Sequence, residues 1–296
     1  MENAGGFATY DDWYARTRNA RPFLRWAGGK QPFLLKHPSI LPTFTGKYIE
    51  PFLGGGSVFF HIMRTQQRPC PAVLGDVNRE LIRAYAGLKD DPRSVYQTLE
   101  SYQAGYSASV DKQEYYNSMR TLYNAQRPKV EPGLFIFINR TCWNGLYRTN
   151  RQGGFNVPYG NPKNGRVIPI LDDLLNVSAA LQQAELRATS WENSLAMAER
   201  GDFVFLDPPY LSDVDRDDTK FSKDGFPERN HLRLAEAVAT LARRGIHFAL
   251  TNSAEQRMES VYLELGLCVR RVSVPRFISS KTDERVAVFE LLVTSA

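Results

Sequence analysis

Asp207-Pro208-Pro209-Tyr210 puts a carboxylate, two pyrrolidine rings and a phenol in four consecutive positions. The apolar run Phe203 to Leu206 before it reads as a buried strand of a parallel sheet. Two prolines lack an N–H and have fixed φ, so the sheet must stop there. Ligands of open α/β sheets bind at that carboxyl end. The chemistry such a turn suits is specific. An exocyclic amino group on adenine or cytosine is a poor nucleophile, because its lone pair is delocalised into the ring. A carboxylate and a backbone carbonyl that both accept its N–H bonds draw the lone pair out of conjugation. A proline-fixed turn holds the two acceptors with little reorganisation. Tyr210 offers a flat face for a planar base. The alternative is a plain Pro-rich turn with a capping Asp, and the four residues alone do not decide.

A second set of residues has the spacing of a nucleotide-type cofactor site. Tyr48 to Phe60 runs from apolar residues into Gly54-Gly55-Gly56 and then into a helix start. This is a strand, a glycine loop and a helix, although not G-x-G-x-x-G in full. The next strand, Ala72 to Gly75, ends in Asp76, about 20 residues past the glycines, where an acid commonly takes ribose hydroxyls. A tight turn for the glycines and a helix N-cap for Asp76 are compatible alternatives. Upstream, Trp26-Ala27-Gly28-Gly29-Lys30 offers an aromatic cover, close backbone approach and a cation for a carboxylate.

The elements that must position these groups alternate between strands and helices. Helices are expected near 79–88, 92–125, 231–243 and 255–265, and strands at 246–250, 268–274 and 286–293, the last two antiparallel. Residues 1 to about 20 read as a loose polar lead-in, and 213–218 as an acidic loop. The pattern predicts an α/β fold, a doubly wound, mostly parallel seven-stranded sheet. Residues 1–90 and 186–296 would form it, and 91–185 would be a mainly helical insert carrying a β-hairpin. From Arg120 to Arg166 there are eight Lys or Arg against the single acid Glu131, with Trp143, Tyr147, Phe155 and Tyr159 interleaved. A basic segment with aromatics fits nucleic acid, and a solvated basic face is the bland alternative. Asn150 to Gly160 reads as a hairpin with a glycine turn, a ribbon that fits the major groove. Arg148 and Arg151, at its base and tip, would grip guanine or phosphate.

Composition narrows the class. The chain has 296 residues, 43% of them hydrophobic, which allows one large domain or a domain plus an insertion. A net charge of +5 leans mildly towards a polyanionic partner. Three scattered cysteines and four scattered histidines give neither a disulfide framework nor a metal site. No stretch approaches the roughly 20 apolar residues of a membrane span, and a cytoplasmic protein is expected.

The Asp-Pro-Pro-Tyr turn resembles the signature of amino-methyltransferases, which methylases of protein glutamine also carry. Five motifs in order resemble the Dam-like DNA adenine-N6 methyltransferases, the D12 class, whose target-recognition insert lies between glycine loop and catalytic turn. They are Arg25 to Lys30, Glu50 to Phe59, Asn139 to Arg148, Phe155 to Gly160 and Asp207 to Tyr210. The resemblance implies S-adenosyl-L-methionine as cofactor, lined by Trp26, Lys30, Phe52, Gly54, Asp76 and Asp207. It implies that Asp207 and the Pro208 carbonyl, fixed by Pro209, hold the amino group of an extruded adenine stacked on Tyr210. It places Arg25, Arg140, Trp143, Asn144, Arg148 and Arg151 on double-stranded DNA, with Trp143 as a wedge where relatives carry Tyr or Phe. GATC is the expected site, a monomer the expected state, and a partner restriction endonuclease stays open. The rival readings are N4-methylation of cytosine, an inactive DNA-binding protein on the same frame, and an RNA or protein substrate.

Overall fold

The computed structural model describes residues 9–66, 70–210, 226–274 and 288–295. The sheet has seven strands: β1 (Tyr48–Glu50), β2 (Ala72–Asp76), β3 (Ala184–Ala188), β4 (Phe203–Leu206), β5 (His247–Ser253), β6 (Cys268–Val274) and β7 (Val288–Thr294). Their order is β3-β2-β1-β4-β5-β7-β6. The first five run parallel, and β7 is antiparallel to both β5 and β6. This is the mostly parallel α/β sheet expected. Tyr48 pairs with Phe203 and Ile49 with Val204, so the carboxyl ends of β1 and β4 lie side by side. The residues after them, Pro51-Phe52 and Asp207-Pro208, therefore leave the sheet at one place.

Side chains alternate between two buried faces, as a strand period of two requires. Tyr48, Leu74, Phe203, Phe205 and Leu292 join one core. Ile49, Val73, Val204, Leu206, Phe248 and Leu291 join the other. The first face is covered by α2 (Gln31–Lys36), α3 (Ser57–Thr65), α4 (Arg79–Asp90) and α8 (Leu171–Leu181), the second by α9 (Trp191–Leu195), α10 (Glu228–Arg243) and α11 (Gln256–Glu264).

The expected loose lead-in is instead a helix, α1 (Tyr10–Asn19). Thr9 caps it by accepting from Asp12 N, with acids in the first turn and arginines in the last. It docks on α8 through the Trp13 Nε1–H to Ala179 carbonyl bond (2.9 Å) and through Arg16 to Asp172 (3.0 Å). Its aromatic residues, Tyr10, Trp13 and Tyr14, recur at i, i+3 and i+4 as a helix requires, but among six charged and polar neighbours this short period is easily missed in the sequence. The expected acidic loop at 213–218 lies outside the described residues.

Between β2 and β3 stand α5 (Pro92–Ala108), α6 (Lys112–Gln126) and α7 (Pro132–Thr141). Asp111 breaks the helical stretch in two by capping α6. Helix α7 is apolar on nearly every side and is accordingly buried on nearly every side. It packs against α4, α5 and α6. Helix α8, inside the segment read as an insert, packs on α1, α4 and α5 and leads into β3. The expected hairpin is an irregular ribbon, with isolated bridges at Cys142 with Tyr159 and Thr149 with Phe155 and a turn closed by Asn150 N–H on the Gly154 carbonyl. Tyr116, Arg120 and Asn124, at i, i+4 and i+8 on one face of α6, grip its backbone at Val157 and Phe155. Among the described residues no helix is long and apolar enough to cross a membrane.

Candidate active site

Asp207 emerges from β4 into a ring of polar partners. Its Oδ2 meets Lys30 Nζ at 2.8 Å, and its Oδ1 accepts from Thr251 Oγ1 at 2.7 Å. Lys30 is 6% exposed, also donates to the Gly28 carbonyl (3.1 Å), and stands 5.1 Å from the Tyr210 ring centroid. Its backbone N–H is fixed by Ser57 Oγ at the start of α3. The lysine from the first glycine pair thus touches the carboxylate of the proline turn, across 177 residues of sequence. Thr251 was not foreseen. It is fully buried on β5, one residue beyond the Leu206–Leu250 pair, so the register alone brings its hydroxyl to Asp207.

The glycine bend forms the neighbouring wall. Gly54 has φ +48°, and a Cβ on it would stand 2.8 Å from Trp26 Nε1; a Cβ on Gly55 would stand 2.8 Å from Trp26 Cβ. Trp26 therefore lies flat against bare backbone, where any side chain would displace it. Asp76 is not the cap of α4; Asn78 caps it by accepting from Glu80 N and Leu81 N. Asp76 instead takes the N–H of Gly54 (3.1 Å) and of Asn78 (2.9 Å), one on each oxygen. Burial holds its carboxyl above the usual range, partly opposed by these N–H groups. Tyr85 reaches the Gly54 carbonyl from α4 (3.1 Å). Phe52 turns to the other face and packs edge-on against Phe226 at 5.6 Å.

Carboxylates converge here. Glu50, at the end of β1, is buried, takes Tyr48 Oη–H (2.9 Å) and Phe59 N–H (3.2 Å), and feels the charges of Asp207 and Asp76. Burial pushes its pKa up to about 8, with the two hydrogen bonds opposing and the two aspartates reinforcing. Glu290 on β7 is likewise raised, chiefly by burial, with Lys30 pulling it down and Asp207 up. The Glu50 shift has a signed consequence for stability. An unfolded glutamate releases its proton near 4.5, while the folded one keeps it to about 8. Between those values the native state binds more protons, so this contribution falls as pH rises through the window and is level above it. Glu50→Gln, which keeps an acceptor and cannot ionise, is expected to match wild type near pH 5 and to melt higher near pH 8.5. A Tm difference that does not change with pH would contradict this.

The residues expected on DNA separate into two groups. Trp143 (52% exposed), Asn144 and Arg151 face solvent on the turn and ribbon, and Asn144 takes a left-handed φ of 51°. Arg25 is exposed on the segment beside them. Arg148 Nε donates to Asn156 Oδ1 (3.0 Å), across the ribbon. Arg140 points inward instead. It donates to the carbonyls of Val167 (2.5 Å) and Phe23 (2.9 Å), and burial brings its pKa down to about 10. These two bonds tie the end of α7 to the segments at Phe23 and Val167. Arg120, Arg127 and Arg166 also hold internal partners, at Val157, Glu80 and Glu100. With Arg140 and Arg148, five of the eight basic residues counted from the sequence thus hold partners within the chain.

Residues 26–274 match the family model of the D12 class N6 adenine-specific DNA methyltransferases. The type II methyltransferase M.MjaIII of Methanocaldococcus jannaschii is 32% identical over 287 residues, covering 92% of this chain and 98% of that protein. The type II methyltransferase M1.LlaDCHI of Lactococcus lactis subsp. cremoris is 31% identical over 286 residues, 94% and 96% respectively. The DNA adenine methylase of Escherichia coli K12 is 32% identical over 280 residues, 92% and 94%.

Proposed function

The chain belongs to the D12 class of N6 adenine-specific DNA methyltransferases, and within that class we propose that it moves a methyl group from S-adenosylmethionine to N6 of an adenine turned out of duplex DNA, at GATC. The observation that carries this reading is the 2.8 Å contact of Lys30 with Asp207, which brings the segment bearing Trp26, itself seated on the glycine bend, to the proline turn. The indole of Trp26, seated on Gly54 and Gly55, and the carboxylate of Asp76 fit the donor's adenosine, and Lys30 fits its carboxylate. When bound, S-adenosylmethionine supplies a methyl group on a positively charged sulfur.

The chain's own residues do the rest. Asp207 and the Pro208 carbonyl would accept the two N–H bonds of the target amino group and turn its lone pair towards the donor; as the N–C bond formed and the C–S bond broke, leaving a neutral thioether, the nitrogen would give up one of those protons. Thr251 holds Asp207 from behind, so the acceptor does not swing when the base arrives. Tyr210 supplies the stacking face. The base has to leave the duplex, because N6 inside the stack cannot reach this site. Trp143 fills the gap left behind, as apolar wedges do between base steps. Arg148, oriented by Asn156, reads guanine. Residues 91–185 would then read DNA, while 1–90 and 186–296 carry out the transfer, in a monomer acting on one strand at a time.

Plasmid treated with the chain and S-adenosylmethionine, then cut by enzymes that distinguish methylated from plain GATC, tests the site. Cutting is expected to switch to the methylated pattern, and unchanged cutting rules out GATC. In transfer rates on duplexes that differ from GATC at one base pair each, Arg148→Ala is expected to lose about 1–3 kcal/mol of discrimination at one position. Unchanged discrimination at every position would remove Arg148 from the reading role.

A further inference from the structure

Asn139 closes α7 between the two functional surfaces and is 5% exposed. Its whole amide is engaged. Oδ1 accepts from Arg25 N (2.9 Å), and Nδ2 donates to the carbonyls of Arg25 (2.8 Å) and Gly145 (3.2 Å). A three-residue 3-10 turn, Trp143–Gly145, carries the exposed indole and follows α7 almost at once. Gly145, at φ +64°, lets the turn lie so close to Arg25 that a Cβ there would run into the Arg25 carbonyl.

One residue further, Trp26 rests on Gly54 and Gly55 and stacks on Tyr147, with centroids 6.2 Å apart and planes at 24°. Arg25-Trp26 is thus held between the turn at 143–147 on one side and the glycine bend on the other. The turn cannot shift against Arg25 without breaking bonds to a buried amide, and leaving such groups unpaired is costly. Arg25 cannot shift without carrying Trp26 along the bare backbone of the bend.

We infer that Asn139 is a positioning residue that couples engagement of duplex DNA by the 143–148 turn to the shape of the Trp26 wall, so that duplex and methyl donor strengthen each other's binding. This rests on the roles proposed above for Trp26 and Trp143. By thermodynamic reciprocity the factor by which duplex tightens the cofactor equals the factor by which cofactor tightens duplex.

The test is the dissociation constant of S-adenosylhomocysteine for the full chain, with and without a short duplex holding one GATC. In wild type, duplex is expected to lower it roughly five-fold or more. In Asn139→Ala that ratio is expected to collapse towards one, while the duplex-free constant moves less. Gly145→Ala, which forces the same two segments apart and leaves α7 intact, is expected to lose the ratio too and decides the matter if Asn139→Ala does not melt cooperatively. A purely structural role would lower Tm and leave the ratio alone. A folded variant that keeps the wild-type ratio, or a wild-type ratio of one with both ligands bound, overturns the coupling only. A wild-type chain that binds neither ligand overturns the proposed function and the coupling with it.

Discussion

Replacing Asp207 by alanine is expected to lower single-turnover methyl transfer by about 10²–10³-fold, the range seen when a preorganised electrostatic contact is removed. The turn would lose the acceptor that draws the amino lone pair out of the ring, and the Pro208 carbonyl would remain alone. Cofactor affinity is expected to fall much less, because Trp26, Gly54 and Asp76 do not depend on Asp207. The substitution also strands Lys30, a nearly buried ammonium whose carboxylate partner is Asp207. Asp207→Asn is therefore the companion variant. It keeps the acceptor for Thr251 and the volume of the turn, and is still expected to lose most turnover. Transfer within ten-fold of wild type in both variants would remove Asp207 from the chemistry.

The largest effect on stability is expected at Glu80. This buried carboxylate on α4 accepts from Arg127 Nε at 2.5 Å, from Tyr147 Oη at 2.9 Å and from the Tyr123 hydroxyl. Tyr123 lies on α6, Arg127 follows it, and Tyr147 lies on the turn that reaches Trp26. A single side chain thus fastens α4 to the segment that presents Trp143 and Arg148. Glu80→Ala leaves the Arg127 guanidinium largely buried without its anion and two inward hydroxyls without an acceptor. Breaking a buried pair in this way costs about 3–5 kcal/mol. For a chain of this size that corresponds to a Tm roughly 10 °C lower. Glu80→Gln, which keeps the volume and one acceptor, is expected to lose less. A melting curve for Glu80→Ala within a degree or two of wild type would show that the cluster is not a fastening.

The central turn was legible because its residues leave little choice. Prolines at 208 and 209 stop a strand wherever they fall, and the apolar run from Phe203 has room only for a strand. The glycine bend and Asp76 were legible from their spacing, and their geometry is set by backbone bonds that the spacing implies. Other features were hidden because their partners are far away in sequence. Thr251 and Glu290 reach the site through sheet register, which no local pattern reveals. Arg140 looked like a DNA contact, yet two distant carbonyls claim it. Leu134 to Ile138 shows no helical period, because α7 is surrounded on every side. Asn139 stood in a motif with no chemistry assigned, and only the bonds to Arg25 and Gly145 give it a role.

The central claim is that the site built around the Lys30–Asp207 pair methylates the amino group of adenine in duplex DNA. Its most direct test is nucleoside mass spectrometry of duplex DNA, RNA and protein, each incubated with the chain and methyl-labelled S-adenosylmethionine. Label is expected in N6-methyladenine of the duplex and to vanish with Asp207→Ala. Label in N4-methylcytosine, in RNA or in protein, or equal labelling by the Asp207→Ala variant, would contradict it.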